Sequence, residues 1–246
     1  MSQYDALAGS YDAMMTDASY QKRVNWLERL FRKSRIPVRT VLDLACGTGS
    51  LARLLALRGY DVTAVDISPD MLSVAAEKCE GLDVLFLCQD MAKLALVEPA
   101  DAVVCCLDSV NYVTRPAQLQ KAFRRVWQAL APGGLFLFDA KTPQALEEAD
   151  GQVYLDENDG LYCVWRGEYD PRRRICGFGI DLFALQPDGS WDRGGEYHEE
   201  FAYTPEELTS YLENTGFSHI KQFGELKMTP PKGGDYRIFF AARKDL

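Results

Sequence analysis

The chain has 246 residues and a net charge of −9, from 36 acidic and 27 basic side chains. Hydrophobic residues make up 47% and charged residues 26%, enough for a core that buries about 70–75% of the unfolded surface without staples. The acidic balance argues against phosphate backbones and anionic membranes as partners, and no apolar run approaches the roughly 20 residues that span a bilayer. The opening MSQYDALAGSYDAMM has neither a basic start nor an apolar stretch, so a cytoplasmic location is the expectation. The seven cysteines are odd in number and lack C-x-x-C spacing, as free thiols of a reducing compartment would. With only two histidines, His198 and His219, no metal site is expected.

In chain order, residues 1–35 read as an amphipathic helical cap, with Trp26, Leu27, Leu30 and Phe31 at helical spacing. Strand-like and helix-like segments then alternate. Residues 38–46 form an apolar strand that ends in a glycine turn, and 49–58 form a helix closed by Gly59. Residues 61–67 form a second strand, after which Ser68 caps a helix with Pro69 at its first position. Residues 84–89 and 101–107 are two more buried strands. An amphipathic helix over 116–130 is stopped by Pro132-Gly133-Gly134, and 135–140 is a fifth strand. Apolar strands separated by helices predict a parallel sheet covered on both faces.

The pattern changes after about residue 145. Residues 151–202 are rich in aromatic and β-branched residues, with turn signals at 156–160, 170–173 and 187–189, and predict two or more antiparallel strands. Thr204-Pro205-Glu206-Glu207 is a capping box that opens a last helix, ended by Gly216. Strands are expected over 218–225 and 236–243. The basic run at 172–174 reads as a solvated hairpin tip. One domain results: a cap (1–35), a ligand-binding core (36–142), a β-rich insertion (145–202) and a C-terminal helix with strands (203–246).

The chemistry gathers at the carboxyl ends of the first strands. Asp43-Leu44-Ala45-Cys46-Gly47-Thr48-Gly49 joins a strand to a helix, where Gly47 and Gly49 permit close backbone approach and the helix start offers free N–H donors. Asp66 ends the second strand, the position that meets a ribose in doubly wound folds. Asp90 follows the third strand and can accept from an adenine amine, with Ile67, Met71 and Met91 packing the ring. Leu107-Asp108-Ser109-Val110-Asn111-Tyr112 leaves the fourth strand at the same edge.

DLACGTGSLA, AVDISPDML, QDM, CCLDSVNYV and APGGLFLFDA, in that order, resemble the successive motifs of class I S-adenosylmethionine-dependent methyltransferases over about residues 38–142. The opening YDALAGSYD and the segment HEEFAYTPEELTSYLENTGF are similar to the small-molecule group of that family. The resemblance implies an α/β fold: a doubly wound, seven-stranded, mostly parallel sheet with a late antiparallel strand. It implies S-adenosyl-L-methionine as cofactor, held by Tyr11, Asp43, Ala45, Gly47, Gly49, Asp66, Ile67, Met71, Asp90, Met91 and Leu107. Ala45 departs from the glycine that many members carry.

Gly47-x-Gly49-x-x-Ala52 with Asp66 also fits an NAD-dependent dehydrogenase. Asp43, however, suits an ammonium and sulfonium better than a pyrophosphate, and no Tyr-x-x-x-Lys pair is present. A non-catalytic S-adenosylmethionine-binding scaffold is the other alternative. The segment after the fourth strand lacks the Asn/Asp-Pro-Pro-aromatic signature of nucleic-acid amino-methyltransferases. The acceptor is therefore expected to be a small molecule, methylated on nitrogen or oxygen. His198 is the candidate general base, with Asn111 and Tyr112 orienting the acceptor.

Overall fold

A computed structural model of the chain describes Asp12, residues 19–158 and residues 160–246. Its elements are α1 (Tyr20–Phe31), β1 (Thr40–Leu44), α2 (Ser50–Leu57), β2 (Asp61–Asp66), α3 (Pro69–Lys78), β3 (Val84–Cys88), β4 (Ala100–Cys105), α4 (Pro116–Ala129), β5 (Leu130–Lys141), α5 (Pro143–Glu147), β6 (Val153–Asn158), β7 (Leu161–Asp170), β8 (Ile175–Leu185), β9 (Trp191–Phe201), α6 (Pro205–Thr215), β10 (Ser218–Gly224) and β11 (Arg237–Arg243). One 3₁₀ turn, Met91–Lys93, follows β3.

The main sheet has seven strands in the order β10-β11-β5-β4-β1-β2-β3. β1, β2, β3, β4 and β5 pair in parallel, and β11 runs antiparallel to both of its neighbours. Alternate strand residues point to opposite faces. Val41, Val62, Ala102, Val104 and Leu137 meet Leu27 and Leu30 of α1 and Leu51 and Leu55 of α2 on one side. Leu42, Val103, Phe136, Phe138 and Phe240 meet Phe123 of α4 and Leu212 of α6 on the other. The strand order reverses between β1 and β4, which opens a crevice at their carboxyl ends.

Local signals account for the helix ends. Ser68 accepts a hydrogen bond from the Met71 N–H at 3.2 Å, with Pro69 opening α3. Thr204 and Glu207 complete a reciprocal capping box, and Gly216 closes α6 at φ 103°. Pro132-Gly133-Gly134 does not itself stop α4. That helix ends at Ala129, and β5 starts at once, carrying Pro-Gly-Gly through a register shift opposite Ala100 and Ala102. An irregularity in the ladder is where a strand tolerates proline and glycine.

Between α5 and α6 the chain forms a second sheet, a four-stranded antiparallel meander in the order β6-β7-β8-β9. Arg172 and Arg173 are exposed at its β7–β8 turn, whereas Arg174 folds back onto Glu207 at 2.8 Å. β9 is tied to the main sheet where the Phe201 N–H donates to the Asn111 carbonyl at 2.8 Å. With the Lys141–Glu200 ion pair, this join ties the end of β9 to the segment after β4 and to the end of β5.

Candidate active site

A cavity of about 370 Å³ opens at that edge. Asp43, Ala45, Gly47, Asp66, Ile67, Met71, Asp90, Met91, Leu107 and Tyr112, all expected from the sequence, line it. Asp66 and Asp90 lie on one side of the molecule because β2 and β3 run in register, with Asp66 opposite Cys88. Tyr11 lies outside the described residues.

The glycine loop is held by Asp66, whose two oxygens accept the N–H groups of Gly47 at 2.8 Å and Ser68 at 2.9 Å. Burial pushes the Asp66 carboxyl above its ordinary value. Each oxygen keeps a further lone pair for a ligand. Gly47 takes φ 54°, and a side chain added there would meet nothing within 4 Å, so the loop is open on the cavity side. Ala45 adopts φ 58° in a region that favours glycine, which explains why glycine fits this position well.

Gly49 does not line the cavity. At φ 73° its missing Cβ would sit 2.9 Å from the Ala75 Cβ, so this glycine lets α2 and α3 approach closely. Gly49→Ala is expected to destabilise the fold by about 1–3 kcal/mol through strain and overpacking. A thermal melt checks this, and an unchanged Tm contradicts it.

Asp43 is 2% exposed, and its Oδ2 has no hydrogen-bond partner among the described residues. Burial, and then the neighbouring Asp66 carboxylate, push its carboxyl up to about 7. A buried acid with an orphaned oxygen at a cavity wall calls for a cation or a donor in that cavity. Asp90 spends Oδ1 on the Ala92 N–H at 2.8 Å, capping the 3₁₀ turn, and its carboxylate borders the cavity beside Met91. Tyr20, at the start of α1, also lines the cavity. Its position comes from tertiary packing and has no local signal.

The segment after β4 is strained: Leu107 and Asp108 take φ 60° and 52°. Asp139 on β5 holds it by accepting the N–H groups of Leu107 at 2.9 Å and Asp108 at 3.2 Å. Asp139 in turn pairs with Arg23 of α1, at 3.2 Å, and with Arg237 of β11. Arg237 reaches Asp108 at 2.7 Å, and Lys141 bridges Asp108 at 2.8 Å and Glu200 of β9 at 2.7 Å. Arg237 and Lys141 hold the Asp108 carboxyl well below the usual range, while burial pushes that of Glu200 up to about 7.

Asn111 and His198 sit differently from the sequence expectation. Asn111 is fully buried. Its Nδ2 donates to the carbonyls of Lys141 at 3.2 Å and Phe201 at 3.0 Å, and its Oδ1 accepts the Lys141 N–H at 3.0 Å. Its amide is thereby committed to joining β5 and β9, and it does not face the cavity. His198 is also fully buried, with Nε2 2.8 Å from Glu196. Its ring meets that of Tyr112 edge-on at 5.8 Å, which places it one ring behind the cavity wall.

A profile for a methyltransferase domain matches residues 41–134. YqeM of Bacillus subtilis (strain 168), which carries a methyltransferase name, is 32% identical over 245 residues, covering 98% of this chain and 97% of that protein. The chain belongs to the class I methyltransferase family. An S-adenosylmethionine-dependent methyltransferase from Clostridium acetobutylicum ATCC 824 superposes on this methyltransferase with a TM-score of 0.89 at 27% identity, over 99% of each chain. The sugar N-methyltransferase KedS8 from Streptoalloteichus sp ATCC 53650 shares the fold, with a TM-score of 0.81 at 22% identity over 96% of this chain and 93% of that one. None of these comparisons supports the dehydrogenase alternative. No helix among the described residues is long and apolar enough to cross a membrane.

Proposed function

We propose that this methyltransferase moves a methyl group from S-adenosyl-L-methionine to a nitrogen or oxygen of a small-molecule acceptor. The observation that carries this reading is the cavity at the strand-order reversal, walled by a buried carboxylate with an orphaned oxygen beside an open glycine turn. Asp43 and Gly47 fit the cationic methionine end of the donor, Asp66 its ribose hydroxyls, and Asp90 with Ile67, Met71 and Met91 its adenine. The donor supplies a methyl carbon already activated by the adjoining sulfonium. The chain's own task is then to hold the acceptor in line and exclude water, and such positioning can supply roughly 7–11 kcal/mol of the barrier. The four-stranded sheet, with Tyr112 and His198, forms the acceptor side in this reading, and Asn111 acts as a brace.

Isothermal titration with S-adenosylmethionine, S-adenosylhomocysteine and NAD tests the assignment. Binding of the first two and not of NAD is expected, and the reverse overturns it. Turnover on a panel of small metabolites separates an enzyme from a binding scaffold.

Asp43 gives a second, independent readout. Its carboxyl, near 7 in the free protein, is mostly protonated at about pH 6, and a cation bound beside it favours the ionised form. Binding at pH 6 should therefore release a large fraction of a proton, and binding at pH 9 almost none. Titration in buffers of different ionisation enthalpy measures this. Asp43→Asn should abolish the release, and the absence of release in the native chain removes Asp43 from cofactor binding.

A further inference from the structure

Large hydrophobic side chains gather on one open face of the small sheet. The strand register and the alternation of side chains place Val153 and Leu155 of β6, Leu185 of β8, and Trp191 and Tyr197 of β9 on the side that turns away from the buried cluster of Cys163, Phe178, Ile180 and Leu182. They are 64%, 60%, 48%, 45% and 57% exposed. Tyr162 and Val164 of β7 and Phe183 of β8, half-buried, bridge them. Single exposed apolar residues are ordinary, whereas a set that runs across a whole sheet marks a contact surface.

The face has a groove at one end and projecting side chains at the other. Gly177 and Gly179 floor a groove of about 390 Å³ walled by Val153, Arg166 and Tyr197. A Cβ on Gly177 would collide with the Tyr197 hydroxyl, so this glycine lets the Tyr197 ring lie across the strand. Phe183 and Leu185 project at the opposite end of β8. Between the two ends Asp181 pairs with Arg166 and, at 2.6 Å, with Arg193, so the centre of the face spends its charges internally. Such a patch is self-complementary about its centre, as a two-fold contact requires. Phe183 and Gly179 lie two residues either side of Asp181, and Arg193 and Tyr197 two either side of Gly195. A two-fold axis across the strands at the row Val164–Asp181–Gly195 therefore sets Phe183 of one copy over Gly179 of the other, with Arg193 on the ring of Tyr197. Four strands about 4.8 Å apart and about 30 Å long give a face of about 600 Å², so two copies cover about 1,200 Å², the lower bound of stable interfaces. Two copies at −9 each repel at long range, which favours contact through a face whose central charges are already paired.

We propose that the outer face of the four-stranded sheet is the contact of a two-fold homodimer, its occupant being a second copy of this chain. The two small sheets then stack face to face, each copy's Phe183 end seated in the other's glycine groove. None of the residues of this face lines the donor cavity, so the proposal stands independently of the methyltransferase reading.

Sedimentation velocity on the full chain tests this. Twice the chain mass of 27.6 kDa is expected at about 50 µM. Leu185→Glu puts a charge on a projecting, exposed position. Gly179→Leu fills the groove floor, where the nearest atom to a new Cβ belongs to Arg166 at 3.8 Å, so the chain's own fold has room for it. Each variant should weaken association by roughly 100-fold. Val97→Glu, at an exposed position outside the small sheet, should leave it unchanged. Circular dichroism shows that each variant is folded, and should Gly179→Leu fold poorly, Leu185→Glu decides. A native chain that stays single overturns the proposal and leaves the face to a different partner. A doubled mass that persists in Leu185→Glu and Gly179→Leu also overturns it and puts the contact elsewhere, such as the open edge of β6.

Discussion

Replacing Asp66 by alanine is expected to weaken S-adenosylhomocysteine binding by at least roughly 100-fold. In the proposed pose this carboxylate accepts two ribose hydroxyls, and each such charge-assisted hydrogen bond is worth about 1.5–3 kcal/mol. The carboxylate also receives the Gly47 and Ser68 N–H groups, so the variant slackens the glycine loop at the same time. Two backbone hydrogen bonds cost about 2 kcal/mol of stability, or roughly 4–8 °C in Tm for a chain of this size. Part of that loss is offset, because burial raises the Asp66 carboxyl and holding it ionised is itself unfavourable. Asp66→Asn keeps one acceptor oxygen and should fall between the native chain and Asp66→Ala in affinity. Titration calorimetry beside a thermal melt separates the two effects. Native-like affinity in Asp66→Ala would remove the ribose assignment.

The largest loss of stability is expected at Asp139. This carboxylate is fully buried between Arg23 and Arg237, and it accepts the N–H groups of two consecutive residues with positive φ. Asp139→Ala leaves two buried guanidinium groups short of a partner and frees a strained turn to relax. Breaking a buried ion pair from one side costs about 3–5 kcal/mol, a large share of the roughly 5–15 kcal/mol that holds a domain folded. A fall in Tm of about 8–16 °C follows for a loss of about 4 kcal/mol. The strained turn carries Leu107, so the residual folded protein should also bind the cofactor more weakly. A Tm within a degree or two of the native value would show that the arginines find other partners.

The same cluster sets the response to acid. Asp108 is depressed in the fold, so its contribution to stability is present above about pH 4, the unfolded value, and drains as pH falls below it. Glu200 is raised, so its contribution runs the other way and weakens as pH climbs from about 4 toward neutrality. The two carboxylates share Lys141. Both are desolvated, and they part because Asp108 also bonds Arg237, whereas Glu200 keeps one oxygen unanswered.

Most of the cavity wall is legible in the chain. Strand, turn and helix follow one another within a few residues there, so Asp43, Gly47, Asp66 and Asp90 stand at strand ends that local patterning already marks. Ser68 and Thr204 announced their helices through caps that need only three residues of sequence. The charged cluster beside the cavity is much less legible. Glu200, Lys141, Arg237, Asp139 and Arg23 come from four elements, β9, β5, β11 and α1, and only tertiary packing brings their charges together. Asn111 shows the same limit in reverse. A polar residue after β4 resembles a site residue, yet its amide spans backbone groups of Lys141 and Phe201, far along the sequence. The alternation Glu196, His198, Glu200 was present as a period of two. His198 is the imidazole that stands beside the last helix in sequence, whereas the orphaned oxygen lies on Glu200. Gly49 illustrates a shared motif with divided labour: Gly47 opens the cavity, and Gly49 lets two helices touch.

The most direct measurement is a crystal structure of the chain with S-adenosylhomocysteine. The ribose hydroxyls should lie on Asp66, the adenine between Ile67 and Met91 near Asp90, and the sulfur should face Tyr112 and the β9 strand. A ligand seated elsewhere, or one whose sulfur points away from β9, would contradict the account.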